Sequence, residues 1–176
     1  IRMGALSKPA VHYCGSHAGV SIGEDGGSQM GLEDLGMFRS LPESTVLYPS
    51  DAVSAEALVY EAASLHTVYI RTTRAKTPVI YKATEKFPLG GFKVLKESTS
   101  DAVVLAGAGI TLHESLKAPH ELKKEGISVA VVDLYCVKPF DGEAFSAFVQ
   151  KHGGKLIVTE DHYPEGGIGE MLKSAL

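Results

Sequence analysis

The residues best suited to chemistry gather in two short stretches. The first, "GSHAGVSIGEDGGSQ" (15–29), carries His17 and Asp25 among five glycines and almost no large apolar side chain. An imidazole can hydrogen-bond to a hydroxyl or exchange a proton with it, and a carboxylate accepts from one. Together they suit a polyhydroxylated ligand, and the glycines allow the backbone to pass close to it. The second stretch, "IRTTR", places Arg71 and Arg74 at the end of a strand pattern. A guanidinium there can fork onto a carboxylate or a phosphate. On spacing alone, a solvated surface loop and surface ion pairs account for these residues as well.

Other signals are weaker. "AGAGITLHE" and "EGGIGE" each put G-x-G at a strand-to-helix turn, but neither supplies the third glycine of a dinucleotide fingerprint. Tight packing of helix on strand explains both. His162, in "EDHYPEGG", falls beyond the carboxyl end of a strand and is read as tying its own loop down. No histidine or cysteine pair has metal-ligand spacing, C-x-x-C is absent, and no G-x-S-x-G elbow occurs. Cys14 and Cys136 lie far apart in apolar, strand-like contexts and are expected to be buried free thiols of a reducing compartment.

The elements that must position these residues alternate along the chain. A strand at 9–14 feeds the glycine loop, and a short helix at 32–41 ends before Pro42. A strand at 44–49 leads to a helix at 52–65, with Ser50 and Asp51 offering its N-cap, and then to a strand at 66–73. Residues 75–100, with Pro78, Pro88 and the Gly90-Gly91 pair, read as a loose polar boundary. After it come a strand (102–110), a helix (111–126), a strand (127–135), a helix (141–153), a strand (155–161) and an amphipathic helix from Ile168. Thr111 with Glu114 fits a capping box, Pro119 should kink its helix, and Gly126 and Gly153 sit where C-caps belong. The pattern predicts an α/β protein in two lobes of mainly parallel sheet flanked by helices, meeting near residues 78–95.

The chain has 176 residues, 44% apolar and 22% charged, enough for one large or two small domains. A net charge of -4 with interspersed signs argues against a nucleic-acid surface. No apolar run reaches the length of a membrane span, and no secretory signal opens the chain. The start on Ile1 and the helical pattern still running at the last residue read as a piece of something longer.

The run "CGSHAGVSIGEDGGSQMGLEDLGMFRSLPESTVLYPSDAVSAEA" resembles the transketolases, above all those of animals. In that family a His, the Asp of "GEDG" eight positions later, "LEDL-x-MFRS" and "YPSD" occur in this order. "IRTTR", "GAGITLHE", "KPFD" and "EDHYPEGGIGE" continue the likeness, so it covers nearly the whole chain.

The resemblance implies a thiamine-binding fold remnant, the end of the pyrimidine-binding domain (1–78), then a linker (79–95) and most of a C-terminal domain (96–176). It implies that His17 binds the donor sugar and its intermediate as a catalytic residue, that Asp25 reads a substrate hydroxyl, and that Arg74 helps to hold the substrate phosphate. Gln29 falls where the family has a Gln or His near substrate and cofactor. The family reaction moves a two-carbon ketol unit between sugar phosphates, using thiamine diphosphate and a divalent cation, magnesium or calcium. A cytoplasmic homodimer, joined through the thiamine-binding domains, is implied as well.

Two departures stand out: Gly27 replaces the usual proline after "GEDG", and Pro119 falls where no proline is expected. The resemblance places most cofactor-binding residues upstream of Ile1, so the chain alone is expected to be inactive. The competing readings are a non-catalytic or stand-alone subunit serving assembly, and another thiamine enzyme such as 1-deoxyxylulose-5-phosphate synthase or the β subunit of a 2-oxoacid dehydrogenase. The spacing of His17 and Asp25 and the "LEDL…MFRS" run favour transketolase over these enzymes.

Overall fold

β-Branched and aromatic runs become strands and the segments between them become helices, as a computed structural model shows; it describes residues 2–7 and 10–176, with the side chain of Ala5 left aside. In chain order the elements are α1 (Arg2–Leu6), β1 (Val11–Gly15), α2 (Asp34–Arg39), β2 (Ser44–Leu47), α3 (Ala52–Ala62), β3 (Thr67–Arg71) and β4 (Lys93–Lys96). They continue with β5 (Asp101–Gly107), α4 (Ile110–Ser115), α5 (Ala118–Lys124), β6 (Ser128–Asp133), β7 (Cys136–Lys138), α6 (Gly142–Lys151), β8 (Leu156–Thr159) and α7 (Ile168–Ala175). The first expected strand is β1; Pro9, at its anticipated start, lies outside the described residues.

Two four-stranded mixed sheets result, with strand orders β1-β3-β2-β7 and β4-β6-β5-β8. In the first, β1, β3 and β2 run parallel, and β7 adds antiparallel to β2. In the second, β6, β5 and β8 run parallel, and β4 adds antiparallel to β6. The stretch 75–100 is therefore not loose throughout, because its polar Lys93–Lys96 segment forms an edge strand. Alternation there, half-buried at Lys93 and Leu95 and exposed at Val94 and Lys96, is short and charged, which suits an edge and hides the strand from pattern reading. β7 comes from the second half of the chain yet completes the first sheet.

Local chemistry explains the boundaries. Asp51 caps α3: its carboxylate accepts from Ser54 N at 2.7 Å, while Ser54 Oγ accepts from Asp51 N at 3.0 Å. The other Asp51 oxygen accepts from Ile80 N and Tyr81 N at 2.8 and 3.0 Å, so the same cap fastens the following linker. Gly126 and Gly153 take positive φ just after the last turns of α5 and α6, as their positions implied. The expected helix 111–126 is two helices, since Pro119 begins a new one in the first turn of α5 rather than kinking a continuous one. The expected capping box is not formed. Gly109 is the N-cap of α4, and the Thr111 hydroxyl donates instead to Ala108 O and Thr159 O at 2.9 and 2.7 Å. A threonine inside the first turn can reach the strand ends that lie beneath it.

One apolar core runs through both lobes, joining Leu35, Phe38, Val46, Tyr48 and Tyr69 to Val104, Ala130, Val132, Phe145, Ile168 and Met171. Phe38 and Tyr69 stack with centroids 4.1 Å apart. Residues at the carboxyl ends of β2 and β3 meet residues at the carboxyl ends of β5, β6 and β8. Ser50 Oγ donates to Asp133 Oδ1 at 2.9 Å, Gly109 N donates to Ser50 Oγ at 2.9 Å, and His113 Nε2 lies 2.6 Å from Ser50 O. The lobes thus face one another across the strand ends where α/β sheets present their loops. Cys136 is buried as expected, but Cys14 is exposed, because β1 is the outer strand of its sheet and turns alternate residues to solvent.

Candidate functional site

The loop between β1 and α2 starts at the carboxyl end of β1 and is closed at its base. Ala18 and Gly31 form a parallel bridge, Gly19 N donates to Gly31 O at 2.8 Å, and Ala18 N donates to Thr72 O at 3.1 Å. Between these anchors the chain makes two 3-10 turns, Gly23–Asp25 and Gly27–Gln29. Ile22 is buried and holds the loop's middle against the protein, and the Ser21 hydroxyl beside it is buried without a partner, while Glu24, Asp25, Ser28 and Gln29 stay outside.

His17 is exposed and sits at φ 62°, a left-handed conformation uncommon for a residue with a Cβ. Such backbone persists where its surroundings over-determine it, and it collects at functional sites. The bridge at Ala18 supplies that constraint. His17 Nδ1 lies 2.9 Å from Ser16 Oγ, leaving Nε2 as the ring atom for a ligand. Asp25 and Arg74 come together, with Arg74 Nε 3.5 Å from Asp25 Oδ2 and both side chains more than two-fifths exposed. Gln29 is exposed in the second turn of the same loop. The structure thus gathers His17, Asp25 and Gln29 on one segment and brings Arg74 to it from the end of β3. An exposed pair at 3.5 Å contributes little to stability and can open to take a polar ligand.

Arg71 behaves differently from Arg74. Its side chain is wholly buried, with Nε 2.8 Å from Asp34 Oδ2 and Nη1 2.7 Å from Asp161 Oδ1. Nη2 donates to Gly31 O at 2.9 Å and to Asp161 O at 3.0 Å, and the guanidinium stacks 4.6 Å from the centre of the Tyr48 ring. Burial by itself would lower the pKa of Arg71; Tyr48, Asp34 and Asp161 outweigh it and raise the pKa. Burial raises the Tyr48 phenol, whose hydroxyl donates to Asp161 Oδ1 at 3.1 Å. His162 is tied down as expected: its Nε2 accepts from Gly36 N at 3.3 Å, and Nδ1 donates to Tyr163 O at 2.6 Å. Sequence reasoning missed Asp34 and Asp161. The one available signal was a pair of carboxylates flanking apolar runs, too common to single out.

Fold and site define a two-lobed α/β protein with a polar, glycine-rich loop exposed at its strand ends. Comparison with known proteins gives the family. Residues 1–79 match the transketolase pyrimidine-binding domain, and residues 90–176 match the transketolase C-terminal domain. Mouse transketolase-like protein 2 is 53% identical and human transketolase 49% identical, each aligned over the whole of this chain and 28% of its own length. A solved split-gene transketolase, described as an inactive beta4 tetramer, superposes with a TM-score of 0.85 at 32% identity; the match covers 97% of this chain and 54% of that one. The chain belongs to the transketolase family, and it spans under a third of the length of the curated relatives named here.

Proposed function

We propose that this chain is the sugar-reading part of a transketolase, transferring a two-carbon ketol unit between sugar phosphates as part of a longer protein. The observation that carries this reading is the meeting of Arg74 with Asp25 on the His17 loop, in an exposed position at the strand ends. A phosphate can displace the Asp25 contact at Arg74 and take its fork of donors. That frees Asp25 to accept from a sugar hydroxyl. His17 Nε2 hydrogen-bonds to a hydroxyl or carries its proton, and Gln29 lends an amide beside it.

Thiamine diphosphate and a magnesium or calcium ion belong to this reading, and the carbanion chemistry is the cofactor's. The described residues of this chain do not fit the cation. Among the described residues no group of three His, Cys, Asp or Glu could hold a metal ion. On this reading the residues of this chain act only within the longer protein, and the chain by itself is expected to be inactive. A homodimer joined through the thiamine-binding domains, in the cytoplasm, completes the proposal. No helix among the described residues is long and apolar enough to cross a membrane.

The test is ketol transfer from xylulose 5-phosphate to ribose 5-phosphate with thiamine diphosphate and magnesium, in this chain and in the longest native form that contains it. Activity only in the longer form, lost in His17→Ala and reduced in Asp25→Ala and Arg74→Ala, is expected. Activity in this chain alone would overturn the division of labour between its residues and the cofactor site. A second reading, a separate non-catalytic subunit, draws on the split-gene transketolase in an inactive assembly. Silence in both forms, with a native species no larger than this chain, favours that reading.

A further inference from the structure

We infer that Asp161, in the second lobe, is a positioning residue for the ligand loop of the first lobe, acting through Arg71 and Gly19. The inference rests on the reading of residues 16–31 as the sugar-binding segment. It gives the C-terminal lobe a task at a site to which it contributes none of His17, Asp25, Gln29 or Arg74.

The loop closes on one atom. Gly31 O accepts from Gly19 N at 2.8 Å and from Arg71 Nη2 at 2.9 Å, so the closing bond of the loop and the buried guanidinium share an acceptor. Arg71 is in turn held by Asp161, whose Oδ1 lies 2.7 Å from Nη1 and whose carbonyl accepts from Nη2 at 3.0 Å. Asp161 also meets the loop directly. A Cβ placed on Gly19 would overlap the Asp161 carboxylate, so only glycine lets the chain run across that carboxylate there. Gly19 has φ 73° and is buried.

The second lobe adds further clamps around the same point. Tyr163 N donates to Leu32 O at 2.9 Å, and Arg39 reaches across to Gly167 O at 2.9 Å. His17 is only two residues from Gly19 and one from the bridged Ala18. A displacement at Gly19 or Gly31 therefore passes directly to the backbone that holds the imidazole. Misplacing such a group by about 1 Å is enough to cost binding and rate.

The experiment compares hydrogen exchange of the 16–31 peptide with that of the β5 and β6 peptides, in the longest native form and in its Asp161→Asn variant. Asparagine keeps the shape and an acceptor but removes the charge that faces Arg71. The expected result is exchange in 16–31 faster by about tenfold or more, with β5 and β6 unchanged. Tyr48→Phe removes one hydroxyl donor to Asp161 and leaves the ion pair, so it should move the loop in the same direction by less. It decides the question should Asp161→Asn fail to fold. An unchanged loop, or a rise shared equally by β5 and β6, overturns the inference.

Exchange needs no catalysis, so this outcome is independent of whether the protein is a transketolase. The kinetic arm tests the reading beneath it: Asp161→Asn should raise KM for the donor sugar while thiamine diphosphate affinity stays the same. A faster loop with unchanged KM would leave the brace in place and remove the loop from substrate binding.

Discussion

Arg71 Nη1 lies 2.7 Å from Asp161 Oδ1 with both side chains almost wholly out of solvent, joining the end of β3 to the segment after β8. Asp34 holds the other side of the guanidinium at 2.8 Å. Two carboxylates around one buried cation are tolerable because Tyr48 and Tyr69 donate hydroxyls to them and the arginine forks between them.

Arg71→Met should therefore be strongly destabilising, by about 3–5 kcal/mol, since it leaves two buried carboxylates without their cation. Urea denaturation of the variant measures this. A loss under about 1 kcal/mol would show that the carboxylates find other partners or water.

Asp51→Ala should cost more than the roughly 1 kcal/mol of an ordinary helix cap, because the same carboxylate also accepts from Ile80 and Tyr81 amides. Burial pulls the Asp51 pKa up, but the donors from Ser54, Tyr81 and Ile80 outweigh it and hold the group below the usual carboxylate range. Its contribution is thus present above the unfolded pKa and is lost as pH falls through the lower folded one. The stability gap between wild type and Asp51→Ala should shrink on acidification below about pH 4. A gap that widens in acid contradicts the assignment.

Asp133 behaves in the opposite sense. It is fully buried, and desolvation pushes its pKa up to about 7 despite hydroxyl donors from Tyr81 and Ser50. The folded state keeps a proton that the unfolded chain releases near pH 4, so this group's contribution is lost as pH rises toward 7. Wild type should lose stability relative to Asp133→Asn across that window, by at most about 1.4 kcal/mol per pH unit. Parallel stability curves for the two proteins would refute it.

The two cysteines should separate by reactivity. Burial raises the Cys136 thiol to about 11, whereas Cys14 is exposed on the outer strand. Iodoacetamide at pH 8 should label Cys14 in the folded protein and reach Cys136 only after denaturation. Equal labelling of both in native buffer would contradict the burial of Cys136.

The sequence by itself determined the kinds of element and their order, because helix and strand periodicity and cap chemistry are local. Asp51 before "AVSAEALVY", and glycine after α5 and α6, were legible for that reason. The glycine-rich segment was legible as a loop too, since five glycines around His17 and Asp25 cannot build a core. Where local signals are short or ambiguous the structure departs from the pattern: Lys93–Lys96 is a strand rather than linker, Thr111 is not the cap of its helix and Cys14 is exposed. Only the tertiary structure decided that Arg71 is the buried tie and Arg74 the exposed one, although they sit three residues apart in the same motif. The partners of Arg71 are 37 and 90 residues away in the chain. Ion pairs over such separations leave no periodic trace, and they exist only once the packing of two sheets carries both carboxylates to one guanidinium.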